Sequence, residues 1–268
     1  MPGHEAPPRT VYFAVFQKGG STSFNNFLPK KSTYRFRFSD ARVPPRDILF
    51  YLNEVGWGAA DVMYTANMVW IMRNPVARAW SEWNYRSSSA EPTSLAKARR
   101  DDTWETYVTR HAEHHVRHVG PGATECYCGN EHCQGTRPRS NKLVFSCLWE
   151  RQNEAQLQVN ADAATVKLRE AKVVGTLERI DEAMVLLWHA KVLDFMDQPC
   201  SLARSNRNRK QTDLPDDARQ VIERLNPLDM ALYNATVAEF ERRVAAASEN
   251  PDVARWMELA RSNDLNPC

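Results

Sequence analysis

Long apolar runs are missing from this chain. No stretch of about 18 or more consecutive apolar residues occurs, which excludes the pattern of a helix crossing a bilayer. The opening MPGHEAPPRT has none of the apolar core of a signal peptide, so the expectation is a soluble chain with no membrane span and no visible address. An excess of either charge is missing too: 35 Lys and Arg stand against 33 Asp and Glu, a formal net charge of +2. That balance is far from a dedicated nucleic-acid binder, so no nucleic-acid partner is expected, and any attraction for anions has to come from local clusters. The G-x-x-x-x-G-K-[ST] loop of magnesium–ATP enzymes is also absent. The nearest stretch, QKGGSTS, places Lys18 before Gly19 and Gly20 instead of after them, which argues against a nucleotide kinase. No internal repeat is visible.

What is present is enough to build a core: 268 residues, 43% of them hydrophobic. The length is read as a single domain, residues 1–268. The β-branched and aromatic run at 11–16 meets glycines, as a buried strand running into a loop does, and a short helix from near Ser21 is expected to end at Pro29. Residues 32–40 (STYRFRFSD), 68–72 (MVWIM) and 172–177 (KVVGTL) read as further strands. Helices are expected over 77–86, about 149–171 and 181–196, the last carrying Met184, Leu187, Trp188, Val192 and Phe195 as an apolar, core-facing stripe. From Pro215 onward the pattern is helical only, broken at Pro227 and Pro251. Alternation of this kind predicts an α/β fold with a mainly parallel central sheet covered on both faces and a helical C-terminal third. Residues 87–147 fit poorly. They hold SSSAEPTS, the His-rich HAEHHVRH and a cysteine cluster, and read as a Cys/His-containing insertion or lid.

A strand, a glycine turn and a helix start form a ready anion site. The first helical N–H groups have no intrahelical partner, and glycine lets a phosphate or sulfate approach the backbone. Lys18, Gly19, Gly20, Ser21, Thr22 and Ser23 therefore point to a polyanionic ligand. Downstream, VWIMRNPVARAWSEWNY (69–85) sets Arg73 at a strand end and Ser81 one to two turns into the next helix, an arginine fork plus a hydroxyl suited to one phosphate.

The loop and this second segment, in this order, resemble the 5′-phosphosulfate loop and the 3′-phosphate element, R-[DN]-P-x-x-R-x-x-S-x-[YW], of sulfotransferases that use 3′-phosphoadenosine 5′-phosphosulfate (PAPS). VVGTLERIDEAMVLL (173–187) and LNPLDMALYNATVAEFERRV (225–244) are similar to segments of Golgi carbohydrate sulfotransferases of the heparan and uronyl 2-O type. SNRNRKQTDLP (205–215) resembles their basic loop, which closes over the cofactor. The likeness spans roughly residues 11–86 and 149–245. It implies a three-layer, P-loop-like sulfotransferase domain, PAPS as cofactor with no metal required, and a carbohydrate or other hydroxyl acceptor as partner. It also implies a Golgi-lumenal setting. Lys18 would contact the oxygen between sulfur and the 5′-phosphate; Ser21, Thr22 and Ser23 the 5′-phosphate; Arg73 and Ser81 the 3′-phosphate; Arg209 and Lys210 would be further phosphate contacts.

One departure stands out. The resembled families draw a catalytic base from the segment between the two motifs, and here residues 29–68 contain no histidine. Glu54 and Asp40 are the carboxylates put forward, with Asp47 and Asp61 behind them. Otherwise the base comes from the insertion, or the chain is a non-catalytic module that binds a nucleotide or sulfated ligand. The insertion itself leaves three options for Cys126, Cys128 and Cys133 with His132 or a neighbour: zinc, disulfides or free thiols. The other three cysteines are Cys147, Cys200 and Cys268, and the connectivity stays open. Asn234-Ala235-Thr236 matches a glycosylation acceptor.

Overall fold

The computed structural model describes residues 11–15, 21–29, 33–36, 50–53, 67–88, 103–118, 152–193, 195–202 and 213–268. Short runs rich in Val, Phe, Tyr, Ile and Trp favour the pleated backbone, and five of them form the strands β1 (Val11–Val15), β2 (Thr33–Phe36), β3 (Phe50–Asn53), β4 (Asn67–Met72) and β5 (Val173–Thr176). They lie in the order β2-β3-β1-β4-β5, and every pairing is parallel. Parallel strands are covered on both faces and read as continuous apolar runs. Accordingly Val69, Trp70, Ile71 and Met72 of β4 are all at 0% exposure.

The helices are α1 (Ser21–Phe27), α2 (Pro75–Ser88), α3 (Trp104–Arg110), α4 (His114–Arg117), α5 (Glu154–Glu170), α6 (Ile180–His189), α7 (Asp216–Leu225), α8 (Pro227–Ala247) and α9 (Pro251–Ser262). Side chains alternate across a strand, so the two faces of the sheet can be told apart by contact. On one face Phe13 of β1 meets Phe24 of α1, ring centroids 5.2 Å apart. Ile71 and Gly175 share that face by register, beneath Ala183 of α6. On the other face the Trp70 indole donates to the Thr236 hydroxyl of α8 at 3.2 Å, and that hydroxyl donates back to Leu232 O within its own helix. The parallel sheet and the helical C-terminal third, α7 to α9, agree with the reading from sequence.

Gly175 is a packing requirement. A Cβ built there would sit 2.5 Å from the Ala183 Cβ and 3.0 Å from the Ile71 Cδ1, so the bare backbone is what lets α6 lie directly on β5. Gly175→Ala should destabilise the fold by about 1–3 kcal/mol through overpacking. Urea unfolding followed by circular dichroism checks this, and an unchanged midpoint would show that α6 shifts freely.

Four elements differ from expectation, two of them α3 and α4, which form in the stretch read as an insertion, where no helix was expected. β3 was not anticipated, although Ile48-Leu49-Phe50-Tyr51-Leu52 is a short apolar run of strand length. α6 stops at His189, short of 196. Lys191 takes a left-handed φ of 50°, and the Val192 N–H returns to Leu187 O at 3.1 Å, a Schellman-type stop that satisfies the last carbonyls. Val192 is buried, but Phe195 departs from the expected core-facing stripe: it is 40% exposed and meets the edge of the core, its ring tilted against Phe27 with centroids 5.5 Å apart.

Candidate functional site

All five strands run in one direction, so their carboxyl ends share one edge. In open α/β sheets ligands bind there, where connections to neighbouring strands leave in opposite directions. β1 and β4 are such neighbours. The chain leaves β1 toward β2 on one side and leaves β4 toward β5 on the other, with Val15 level with Ile71 and Met72 level with Thr176. Val15, the last residue of β1, therefore lies about 5 Å, one strand spacing, from Ile71, two residues before Arg73.

Of the residues singled out from sequence, Ser21, Thr22 and Ser23 form the first turn of α1 at this edge. Arg73 and Ser81 are half-buried, Arg73 at the end of β4 and Ser81 in the second turn of α2. Lys18, Gly19, Gly20, Asp40, Glu54, Arg209 and Lys210 lie outside the described residues, as do Cys126, Cys128, Cys133, Cys147 and His132. The flanks of the basic segment do fall within them. Ser201 Oγ and the Leu202 N–H both donate to Asp181 in the first turn of α6, which opens just past the end of β5. Leu214 packs into the small apolar cluster of Val76, Ala79, Tyr107, Val108 and Ile222 beside α2.

The start of α2 is held from two sides. Asn74 caps it, its Oδ1 accepting from the Val76 and Ala77 N–H groups, and Pro75 takes the first helical position, where its missing donor costs nothing. The Asn74 N–H in turn donates to Glu178 Oε1 at 3.0 Å, and the Tyr233 hydroxyl of α8 donates to Glu178 Oε2 at 3.3 Å. Burial, helped by nearby Arg78, lowers the pKa of Arg73, and Glu178 pushes it back upward. The guanidinium remains charged, and a partly desolvated charge attracts an anion more strongly than one in open water. Tyr233 is pushed well above its ordinary value, first by burial and then by the charge and hydrogen bond of Glu178, so it acts as a neutral donor. Glu178 and Tyr233 had no role assigned from sequence. The only signal was position: Glu178 lies two residues beyond the VVGT strand.

No protein-family model matches this chain, and no curated protein matches it. The functional reading therefore stands on these residues and their placement.

The His-rich segment HAEHHVRH takes on a structural task. Glu113 and Asp229 cap each other's helices. The Glu113 carboxylate accepts from the Leu228 and Asp229 N–H groups at 2.9 and 2.7 Å, at the start of α8. The Asp229 carboxylate accepts from the His115 and Val116 N–H groups at 2.9 and 2.8 Å, at the start of α4, and from His115 Nδ1 at 3.0 Å. Asn226 Oδ1 takes the Glu113 N–H, and Glu113 holds a left-handed φ of 53°, a conformation that branched-off neighbours must over-determine. Burial lowers His114 far below its ordinary value and lowers His115, against the opposing charge and hydrogen bond of Asp229. Arg78, 1% exposed, is ion-paired with Glu82 at 2.8 Å and seals the same region from α2. Among the described residues, no group of three or more His, Cys, Asp or Glu is arranged to hold a metal ion.

A second concavity, of about 280 Å³, lies at the opposite edge, between Lys172, His189, Arg242 and Arg243. Its most buried cation is already engaged: Arg243 donates to the carbonyls of Arg169, Ala171 and Lys172 and to Glu239, closing the end of α5.

Proposed function

We propose that this chain is a PAPS-dependent sulfotransferase that moves a sulfuryl group to a hydroxyl acceptor, with a carbohydrate as the acceptor class. The observation that carries the proposal is the placement of its two motifs. QKGGSTS follows β1 and RNPVARAWS follows β4, and β1 and β4 are adjacent parallel strands whose ends are level at one edge of the sheet. One nucleotide bearing phosphates at two ends would bridge them, and the order β2-β3-β1-β4-β5 with β1 central is consistent with the P-loop-like arrangement that the resemblance implies. Ser201 and Leu202, which precede the segment holding Arg209 and Lys210, are bonded to the first turn of α6, and Leu214, which follows it, packs beside α2.

The donor supplies an activated sulfuryl group. The acceptor oxygen forms a bond to sulfur as the bond from sulfur to the 5′-phosphate oxygen breaks, and the acceptor proton passes to a base. The chain's part is to position and to stabilise charge: Lys18 at the bridging oxygen, Ser21, Thr22 and Ser23 at the 5′-phosphate, Arg73 and Ser81 at the 3′-phosphate. Glu54 and Asp40 are the proposed bases. A Golgi-lumenal setting is part of the proposal, and the disulfide between Cys200 and Cys268 favours an oxidising compartment.

Calorimetric titration with 3′-phosphoadenosine 5′-phosphate, the desulfated donor, tests the proposal against magnesium–ADP. The bisphosphate should bind the wild type, and both Lys18→Ala and Arg73→Ala should weaken it by about 10- to 100-fold, the loss of one charge-assisted contact each. Equal affinity for magnesium–ADP, or no binding, would remove the sulfotransferase reading.

A further inference from the structure

We infer that Glu178 is a positioning residue of the 3′-phosphate subsite, acting through the turn that carries Arg73; the inference rests on the nucleotide reading above. Glu178 is solvent-exposed, yet both of its carboxylate oxygens are engaged from other elements. Oε1 accepts the N–H of Asn74, the residue between Arg73 and the first turn of α2. Oε2 accepts the hydroxyl of Tyr233, from the helix that covers the far face of the sheet. The carboxylate thus ties the ends of β4 and β5 to α8 at the point where the chain turns from Arg73 into α2. Arg73 also faces it electrostatically, which opposes the effect of burial on the guanidinium.

An arginine recognises a phosphate through a planar fork, so its usefulness depends on where its backbone is held. A turn anchored only by its own helix can tilt. The Glu178 bond to Asn74 N–H removes that freedom from outside the helix, while Asn74 Oδ1 secures it from inside. The expected consequence is selective: the clasp serves recognition of the 3′-phosphate and leaves the rest of the nucleotide alone.

The experiment compares the affinities of 3′-phosphoadenosine 5′-phosphate and adenosine 5′-monophosphate by calorimetry, with thermal unfolding as the folding control. Wild type should prefer the bisphosphate. Glu178→Ala should cut that preference about tenfold while leaving the monophosphate affinity unchanged, the equivalent of one misplaced contact. Glu178→Gln, which keeps an acceptor for Asn74 N–H, should restore most of it. Tyr233→Phe should reduce it by a smaller factor, and these two variants decide the matter if Glu178→Ala does not fold. Folded variants that keep the wild-type preference, or that weaken both nucleotides alike, overturn the role of Glu178. A wild type with no preference for the bisphosphate overturns the reading of the site itself, and the role with it.

Discussion

Asp229→Ala should lower the stability of this protein by about 3–5 kcal/mol, or prevent its folding, because it removes the acceptor from three buried donors at once. The carboxylate is at 0% exposure and takes the His115 N–H, the Val116 N–H and His115 Nδ1. Burial pushes its pKa up, but His115, through charge and hydrogen bond, together with Arg78, outweighs burial and holds it below the ordinary value. A depressed carboxyl contributes stability that is present above its unfolded pKa and lost as pH falls through the folded one. Asp229→Asn keeps an acceptor and should be less damaging. Urea denaturation measures both, and a loss under about 1 kcal/mol for the alanine variant would show that the cross-capped helices do not depend on each other.

Glu113 behaves in the opposite sense. Burial and the charge of Asp229 raise it from the model-compound value of 4.5 to about 7, against the pull of its two backbone donors and Arg117. A raised carboxyl keeps its proton in the folded state, so its favourable contribution is full below about pH 4.5 and is lost as pH rises to about 7. Glu113→Gln should therefore gain stability relative to wild type between pH 5 and pH 8. The comparison cancels the buried His114 and His115, which act on both proteins alike.

Breaking the Cys200–Cys268 disulfide should be the second large effect. The bridge spans 68 residues of sequence and encloses α7, α8 and α9. Freeing a loop of that length restores chain entropy worth about 4 kcal/mol. The bridge is not alone: Ser201 N–H donates to Asn266 O at 2.7 Å, and Cys268 N–H donates to Ser201 O at 3.0 Å, a short parallel pairing that brings the C-terminal residues beside the stem of the basic segment. Cys268→Ser should lower the melting temperature by roughly 8–16 °C, given 2–4 °C per kcal/mol for a chain of this size. Added dithiothreitol should bring the wild type toward the variant. A wild type that melts at the same temperature with and without reductant would show that the bridge carries no stability.

Much of the scaffold was legible in local pattern. The runs at 11–16, 68–72 and 172–177 became β1, β4 and β5 because short stretches rich in β-branched and aromatic residues fit a doubly buried pleat. Pro227 and Pro251 opened α8 and α9, as their fixed φ and missing donor require. β3 escaped because an apolar run of that length does not declare its state, and its strand character is set by pairing with β1 and β2. The stop of α6 depends on Lys191 adopting a left-handed backbone, which no side-chain type there announces.

HAEHHVRH shows the division most clearly. As a string it offers metal ligands, since histidines at that spacing have the right chemistry. Folded, the segment lies against α8, 114 residues away in sequence, and Asp229 uses His115 as a buried donor. Composition and spacing carried the expectation of an anion site at QKGGSTS and RNPVARAWS and determined the apolar periodicity of the strands and helices, because these rest on residue type and near-neighbour geometry. The tertiary structure decided that β1 and β4 are neighbours with level ends, that Glu178 and Tyr233 join Arg73, and that Glu113 and Asp229 cap each other's helices. Each of those is a meeting of residues far apart in the chain, and the energy that selects it, burial and the pairing of desolvated polar groups, exists only once the sheet and its covering helices have closed.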